Sequence, residues 1–526
     1  MVYWDISLST VLSVIALLLA TMLYWYQRKS FRYWKDRGVQ YIQPTWIFGS
    51  IKDPLLRKKT WTAFIDESYR LFKDKGFGGF FIFGRPALFV CDPGLIEKML
   101  VQDFLHFHDR WSVGSRDILT KTLMYQTGER WRTMRHKLGQ SFTSSKIKGM
   151  FEQIFRSGDY MVGKIDKITE KNEPVKVEPL LFVFVTEALS SCIFGVQMTS
   201  DSHQRQRIKE VVTLMHETSA STLISMMLAL VYSKLFSLLK IRALPKKVTE
   251  FFLDLTRGAI VYRDLNRVKR NDFLQMVLAL KDQEENGIVD SPPDLTEEDQ
   301  ILNQVRNIRK SQVKENIFTE DCIAALMMNF VFAGLKPSVV TIGFALYEIA
   351  KNQEIKRKLH CELDQTLSKH KRWTYEAIRE LTYMDMVIQE TLRRWNVNLV
   401  LLRQVTEDYK VPKTDLTLQK GTLVEILMSC LHMDPQYFPN PEEFIPERFT
   451  ENSYKPTSTF MPFGQGPRIC IGVRLAVTMM KVCLARILSE YQLEVSDKMT
   501  SPLVLDPQTY YPKVVGGTWL NFKRRS

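Results

Sequence analysis

Phe463-Gly-Gln-Gly-Pro-Arg-Ile-Cys470-Ile-Gly472 runs straight into an apolar, helix-patterned segment, Val473 to Leu488. A glycine-rich loop therefore presents a single cysteine at a helix start. Backbone N–H groups and the positive end of the helix dipole stabilise a thiolate there, and Gly466 and Gly472 let the backbone come close to a flat group. A cysteine in an apolar setting is more commonly an inert small hydrophobe. The spacing of Phe463, Gly466, Arg468, Cys470 and Gly472 weighs against that reading.

Other features agree with this loop. Glu390 and Arg393 lie three apart on an apolar helical pattern and project from one face as a charge-assisted pair. Trp131 and Arg135, in Trp131-Arg-Thr-Met-Arg135, lie four apart on another helix. With Pro446-Glu-Arg-Phe449 and the cysteine loop, these motifs resemble those of the cytochrome P450 family, in the family's order and across nearly the whole chain. The resemblance is strongest to the insect microsomal detoxification branch. It is carried by His106-Phe-His-Asp-Arg110, Phe142-Thr-Ser-Ser-Lys146, Arg270-Asn-Asp-Phe273 and Asp434-Pro-Gln-Tyr-Phe-Pro-Asn-Pro441.

The resemblance implies haem b with Cys470 as axial iron ligand, and Trp131, Arg135, Arg403 and Arg468 toward the haem propionates. It also implies a buried network of Glu390, Arg393 and Arg448 behind the loop. The branch implies oxidation of small apolar compounds (xenobiotics, insecticides, insect hormones or lipids) with O2. Electrons would come from NADPH-cytochrome P450 reductase, with cytochrome b5 as a further partner, at the endoplasmic reticulum membrane. An acidic docking face would suit Arg132, Lys137, Arg474 and Lys481. Substrate would meet 118–126, 213–230, 327–332, 396–402 and 508–513.

One stretch departs from the family. Where it has Ala-Gly-x-acid-Thr, this chain reads Ala333-Gly-Leu-Lys336-Pro337-Ser338, so the acid and the hydroxyl that relay protons to bound oxygen are replaced. Ser338 and Thr341 lie off the missing hydroxyl's position. Asn396 stands where proline is common, and Val514-Val515 are additional before Gly516. Three readings stay open: a reductase-dependent monooxygenase, a peroxide-using or rearranging enzyme in which Lys336 holds a fatty acid-like substrate, and a low-turnover haem protein that sequesters apolar ligands. In all three, Lys336, Pro337 and Ser338 are the distal positions to test.

The chain begins with an uncharged, apolar stretch, Ile6 to Tyr26, long enough to cross a bilayer as a helix and too long for a signal peptide. Asp5 precedes it and Arg28, Lys29, Arg32, Lys35 and Arg37 follow, which puts the body in the cytosol. Trp25, Tyr26 and Trp34 fall where an interfacial aromatic belt would lie. The expected organisation is an anchor over 1–27, a basic, proline-containing linker over 28–49 and a haem-thiolate domain over 50–526.

Helical spacing is expected in Ile118 to Phe151, Glu178 to Ile193, Asp321 to Lys351 and Asn352 to Leu367. Strands are expected at Gly79 to Phe83, Ala87 to Cys91, Leu399 to Gln404 and Thr422 to Leu427, giving a mainly α fold with small β-sheets. The polar stretch from Asp282 to Asn316 reads as a solvated connection. Seven scattered cysteines fit a reducing compartment. The balance of 72 Lys and Arg against 58 Asp and Glu, a net +14, favours anionic surfaces, but no nucleic-acid-binding motif accompanies it.

Overall fold

The computed structural model describes residues 8–111, 118–195, 232–239, 244–287, 316–451, 454–506 and 511–525, with short pieces between 206 and 242 and residue 509. The principal helices are α1 (Leu8–Ser30), α2 (Trp61–Phe72), α3 (Gly128–Gly139), α4 (Ser144–Thr169), α5 (Val177–Phe194), α6 (Glu320–Lys351), α7 (Gln353–His370), α8 (Thr382–Arg394) and α9 (Val473–Glu490).

The centre is α6, which packs on α5, α8 and α9. Its ends follow from local chemistry. The Thr319 hydroxyl accepts from the Cys322 N–H, and Glu320 and Asp321 sit in the positive first turn. Asn352 stops α6, and its side chain caps α7 by accepting from Glu354 N and Ile355 N. The helical mass forms one apolar cluster, and the N-terminal third with the main sheet forms a second.

That sheet has the order β1 (Phe77–Ile82), β2 (Arg85–Val90), β7 (Leu423–Ile426), β4 (Leu401–Gln404). β2 and β7 are parallel and the other pairs antiparallel, with Arg403 opposite Val424. Two small sheets escaped the sequence reading. One joins β3 (Val175–Lys176), β9 (Trp519–Arg524) and β8 (Tyr491–Val495), and the other pairs β5 (Tyr409–Lys410) with β6 (Thr417–Leu418). β8 is continuous with α9, so no turn residue marked it.

The expected helix from Ile118 to Phe151 is instead four pieces: a 3-10 turn at Ile118–Lys121, α3, a 3-10 turn at Gln140–Phe142, and the start of α4. Much of the connection between Asp282 and Asn316 lies outside the described residues, as does part of 213–230; Glu285 still belongs to a helix, Phe273–Glu285.

Among the described residues three helices are apolar and long enough to span a membrane, but burial separates them. The apolar windows of α5 and α6 are 78% and 61% buried, which marks them as core, whereas that of α1 is 0% buried. α1 is the candidate membrane span, and it continues to Ser30, past the expected boundary at 27. Trp25 and Tyr26 are exposed on it. Trp34 is a correction: it is fully buried, and its Nε1 donates to the Phe80 carbonyl at 3.1 Å. It supports β1 rather than the lipid interface.

Candidate functional site

The loop before α9 is bound mainly by its own backbone. Cys470 N donates to Phe463 O at 2.9 Å, Ile469 N to Gly466 O at 2.9 Å, and Gly464 N to Met461 O at 2.8 Å. Gly464 and Gly466 take φ of +83° and +73°, which L side chains rarely adopt. A Cβ on Gly466 would also overlap the Leu100 carbonyl oxygen. The glycine thus serves the packing of the loop on the segment 98–102.

Residues 464–469 are buried, and Cys470 alone is turned out. Its thiol is accessible yet densely surrounded by protein, the combination found on the wall of a deep cleft. Burial pushes its pKa up; the Gly472 N–H, Arg135 and Arg110 act in the opposite direction, toward thiolate.

Four guanidiniums share this region, three buried and Arg110 half-buried. Arg468 donates through Nε to His108 O at 2.7 Å and through Nη2 to Gln126 O at 2.8 Å, and its guanidinium lies 4.0 Å from the Trp131 ring centroid. Arg403 gives Nη1 to its neighbour's carbonyl but leaves Nε unpartnered, and Arg135 leaves Nε and Nη2 unpartnered, all buried. Burial, then Arg110, lower the pKa of Arg403 to about 9, and burial and Arg110 bring Arg135 to about 10 despite Cys470. Arg110 is the fourth. It donates to Arg468 O at 3.3 Å and is lowered by burial, with Cys470 opposing. The sequence reading quoted its motif but gave it no role, because a lone Arg after Asp in a loop has no periodicity to mark it.

Four crowded cations, three of them buried, several N–H donors without acceptors, and one thiol make a site short of negative charge. A flat group with two carboxylates and a thiolate-binding metal fits that deficit. Among the described residues no cluster of His, Cys, Asp and Glu could hold a metal by itself, so a single protein ligand is consistent with the donor set.

Behind the loop, Glu390 and Arg393 are both fully buried and joined in a bidentate pair, with Nε–Oε2 at 2.7 Å and Nη2–Oε1 at 2.8 Å. Arg448 lies 3.5 Å from Glu390 Oε1, which also accepts from Ile445 N. Arg393 donates further to the carbonyls of His432, Pro441 and Glu443. The pair therefore fixes the whole 432–445 segment, not only the helix that carries it. A cavity of about 510 Å³, lined by Glu348, Arg394, Glu442, Glu443 and Ile445, borders this network and includes no residue of the cysteine loop.

α6 runs unbroken through Pro337, although the missing N–H leaves the Ala333 carbonyl without its helical partner. Ala333 is exposed within this otherwise mostly buried helix. Lys336 Nζ lies 5.7 Å from the Tyr511 ring centroid, a cation–π distance. Ser338 and Thr341 are 3% and 2% exposed.

Two expectations need correction. Lys481 is buried and paired with Asp385 at 2.8 Å, so it cannot meet a docking protein. Lys137 and Arg132 are engaged with Glu284 and Glu129 at the surface. Within 327–332, Met327, Met328 and Phe330 are buried, and Phe330 packs against Phe142 and Phe273 as core rather than pocket wall.

The fold and this site define a haem-dependent oxidoreductase. The chain matches the family described as Cytochrome P450 over residues 41–514. It is 32% identical to Cytochrome P450 6B7 of Helicoverpa armigera over 99% of both chains. It is 30% identical to Cytochrome P450 6B1 of Papilio polyxenes, over 96% of this chain and 98% of the relative, and 30% identical to Cytochrome P450 6a2 of Drosophila melanogaster, over 98% and 99%. The chain belongs to the cytochrome P450 family of haem-iron monooxygenases, among insect relatives of the 6 series.

Proposed function

We propose that the protein is a membrane-anchored monooxygenase that uses haem b to oxidise small apolar compounds such as xenobiotics, insecticides, insect hormones or lipids. Cys470 would hold the haem iron through its thiolate. Arg110, Arg135, Arg403 and Arg468 neutralise and orient the two propionates, and Trp131 backs Arg468. Glu390, Arg393 and Arg448 hold the supporting segment. The observation that carries this reading is the set of buried arginines with unpartnered N–H groups around one turned-out cysteine. Bound haem supplies activation of O2 and transfer of one oxygen atom to the substrate.

The chain's own residues set the rest. With a cation at Lys336 and no hydroxyl at Pro337, water carries the protons, and the Ala333 carbonyl freed by Pro337 gives that water an acceptor. Electrons come from NADPH-cytochrome P450 reductase, with cytochrome b5 as a second donor, at the cytosolic face of the endoplasmic reticulum. The basic stretch after α1 supports that orientation.

The test is product formation by purified protein on a panel of apolar compounds and fatty acids, with NADPH and reductase or with hydrogen peroxide alone. Reductase-dependent product is expected. Product with peroxide only, lost in Lys336→Glu combined with Pro337→Thr, would replace this reading with a peroxide-using enzyme. Spectral binding of ligands without product under either oxidant would make it a ligand sink.

A further inference from the structure

His432 ends a short helix, Met428–His432, and is fully buried. Its backbone carbonyl accepts from Arg393 Nη1 at 3.0 Å, so the Glu390–Arg393 pair fixes where the residue sits. Its ring reaches the other way: Nε2 lies 3.0 Å from the backbone N of Met461, two residues before Phe463. Phe463 O in turn accepts from Cys470 N, and Met461 O accepts from Gly464 N. The imidazole is thus joined to the base of the cysteine loop through both of its internal bonds.

A backbone N–H only donates, so Nε2 is the nitrogen with the free lone pair and the ring proton is on Nδ1. Burial, reinforced by Arg393, lowers the ring's pKa to about 3, which keeps it neutral and able to accept. Asn396 Nδ2 lies 2.9 Å from Nδ1, and Asn396 Oδ1 accepts from the Asn398 N–H at 2.9 Å; turning the amide over to accept from Nδ1–H gives up that second bond. Asn396 is the position where this chain departs from proline, which has no side-chain group to offer.

We infer that His432 is a positioning residue for Cys470 and that, with Asn396 beside its ring, it links the segment after α8 to the loop that presents the thiolate. Neither residue touches the cofactor. The inference rests on Cys470 being the iron ligand and is independent of which substrate is oxidised. A loop released at Met461 lets the sulfur move relative to the Gly472 N–H and to the surrounding arginines, so the ligand is less firmly presented.

The experiment compares full-length holoprotein of wild type, His432→Leu, His432→Gln, Asn396→Ala and Asn396→Pro. Readouts are the ferrous carbon monoxide spectrum and the haem reduction potential, with Cys470→Ala as control. His432→Leu is expected to lose most of the thiolate-type carbonyl band and to shift the potential upward. His432→Gln, whose amide oxygen can accept from Met461 N–H, restores the band. Asn396→Ala and Asn396→Pro give a smaller shift of the same sign. A full thiolate-type band and unshifted potential in His432→Leu would overturn the inference. Should His432→Leu yield no holoprotein, unshifted spectra and potential in both Asn396 variants would overturn it instead. A wild type without a thiolate-type band would instead remove the assignment of Cys470, a separable failure.

Discussion

The cysteine loop and the middle of α6 are built in opposite ways. Around Cys470 each constraint is duplicated: two glycines at positive φ, a backbone bond from Cys470 to Phe463, Arg468 held by two carbonyls, and the Glu390–Arg393 pair behind. In α6 the residues that differ from the family stand together, and the helix merely carries them. Lys336 turns to Tyr511, and Pro337 leaves one carbonyl open. The contrast teaches that holding the cofactor and delivering protons are separable demands, so a chain can keep the first intact while altering the second.

The largest expected effect tests the duplicated side. Cys470→Ala should abolish the thiolate-type carbon monoxide spectrum and turnover; a surviving spectrum would mean that the loop does not supply the ligand. Next, Glu390→Ala strands a fully buried guanidinium and should destabilise by about 3–5 kcal/mol, seen as lost haem-containing yield and a lowered thermal midpoint. An unchanged midpoint would show the pair to be dispensable.

Glu425 sharpens the point, being a buried carboxyl on β7 with no hydrogen bond or ion pair among the described residues. Burial alone raises its pKa from 4.5 to about 8. The native state then holds a proton that the unfolded chain releases. The stabilisation is complete below about 4.5 and is lost as pH rises through about 8. Glu425→Gln should flatten that slope in thermal midpoint against pH and stabilise at pH 7 by on the order of 3 kcal/mol, at ~1.36 kcal/mol per pKa unit. An unaltered slope would place the ionisation elsewhere.

The smallest effect belongs to the distal wall. Lys336→Glu with Pro337→Thr should raise the fraction of NADPH electrons recovered in product by about tenfold, below the ~10²-fold that a positioned proton donor supplies. No gain would show that the natural sequence already delivers protons by its own route.

Much of this was legible because it is local. Helical spacing set Glu390 with Arg393 and Trp131 with Arg135 on shared faces, and the family resemblance gave these pairs and the cysteine loop their expected roles. What the sequence hid depends on contacts far apart along the chain. Lys481 reads as a surface cation until Asp385, from another helix, is seen beside it. Trp34 follows a membrane segment and reads as its belt, yet its partner is Phe80 on β1. Arg110 has meaning only beside Arg403 and Arg468. β8 carries no turn signal at its start because it continues directly from α9.

The end of α1 has a mechanical consequence. Gln27 is 2% exposed and its side-chain oxygen accepts from Ile47 N, Ser30 donates to the Gly84 carbonyl, and Phe31 packs on Phe81. The helix that can cross a bilayer is welded to the body rather than leashed to it. Tilting that helix in the lipid would swing the whole catalytic body with it, so bilayer thickness becomes a steering input. A soluble version cut within Gln27 to Ser30 would damage the joint as well as remove the anchor.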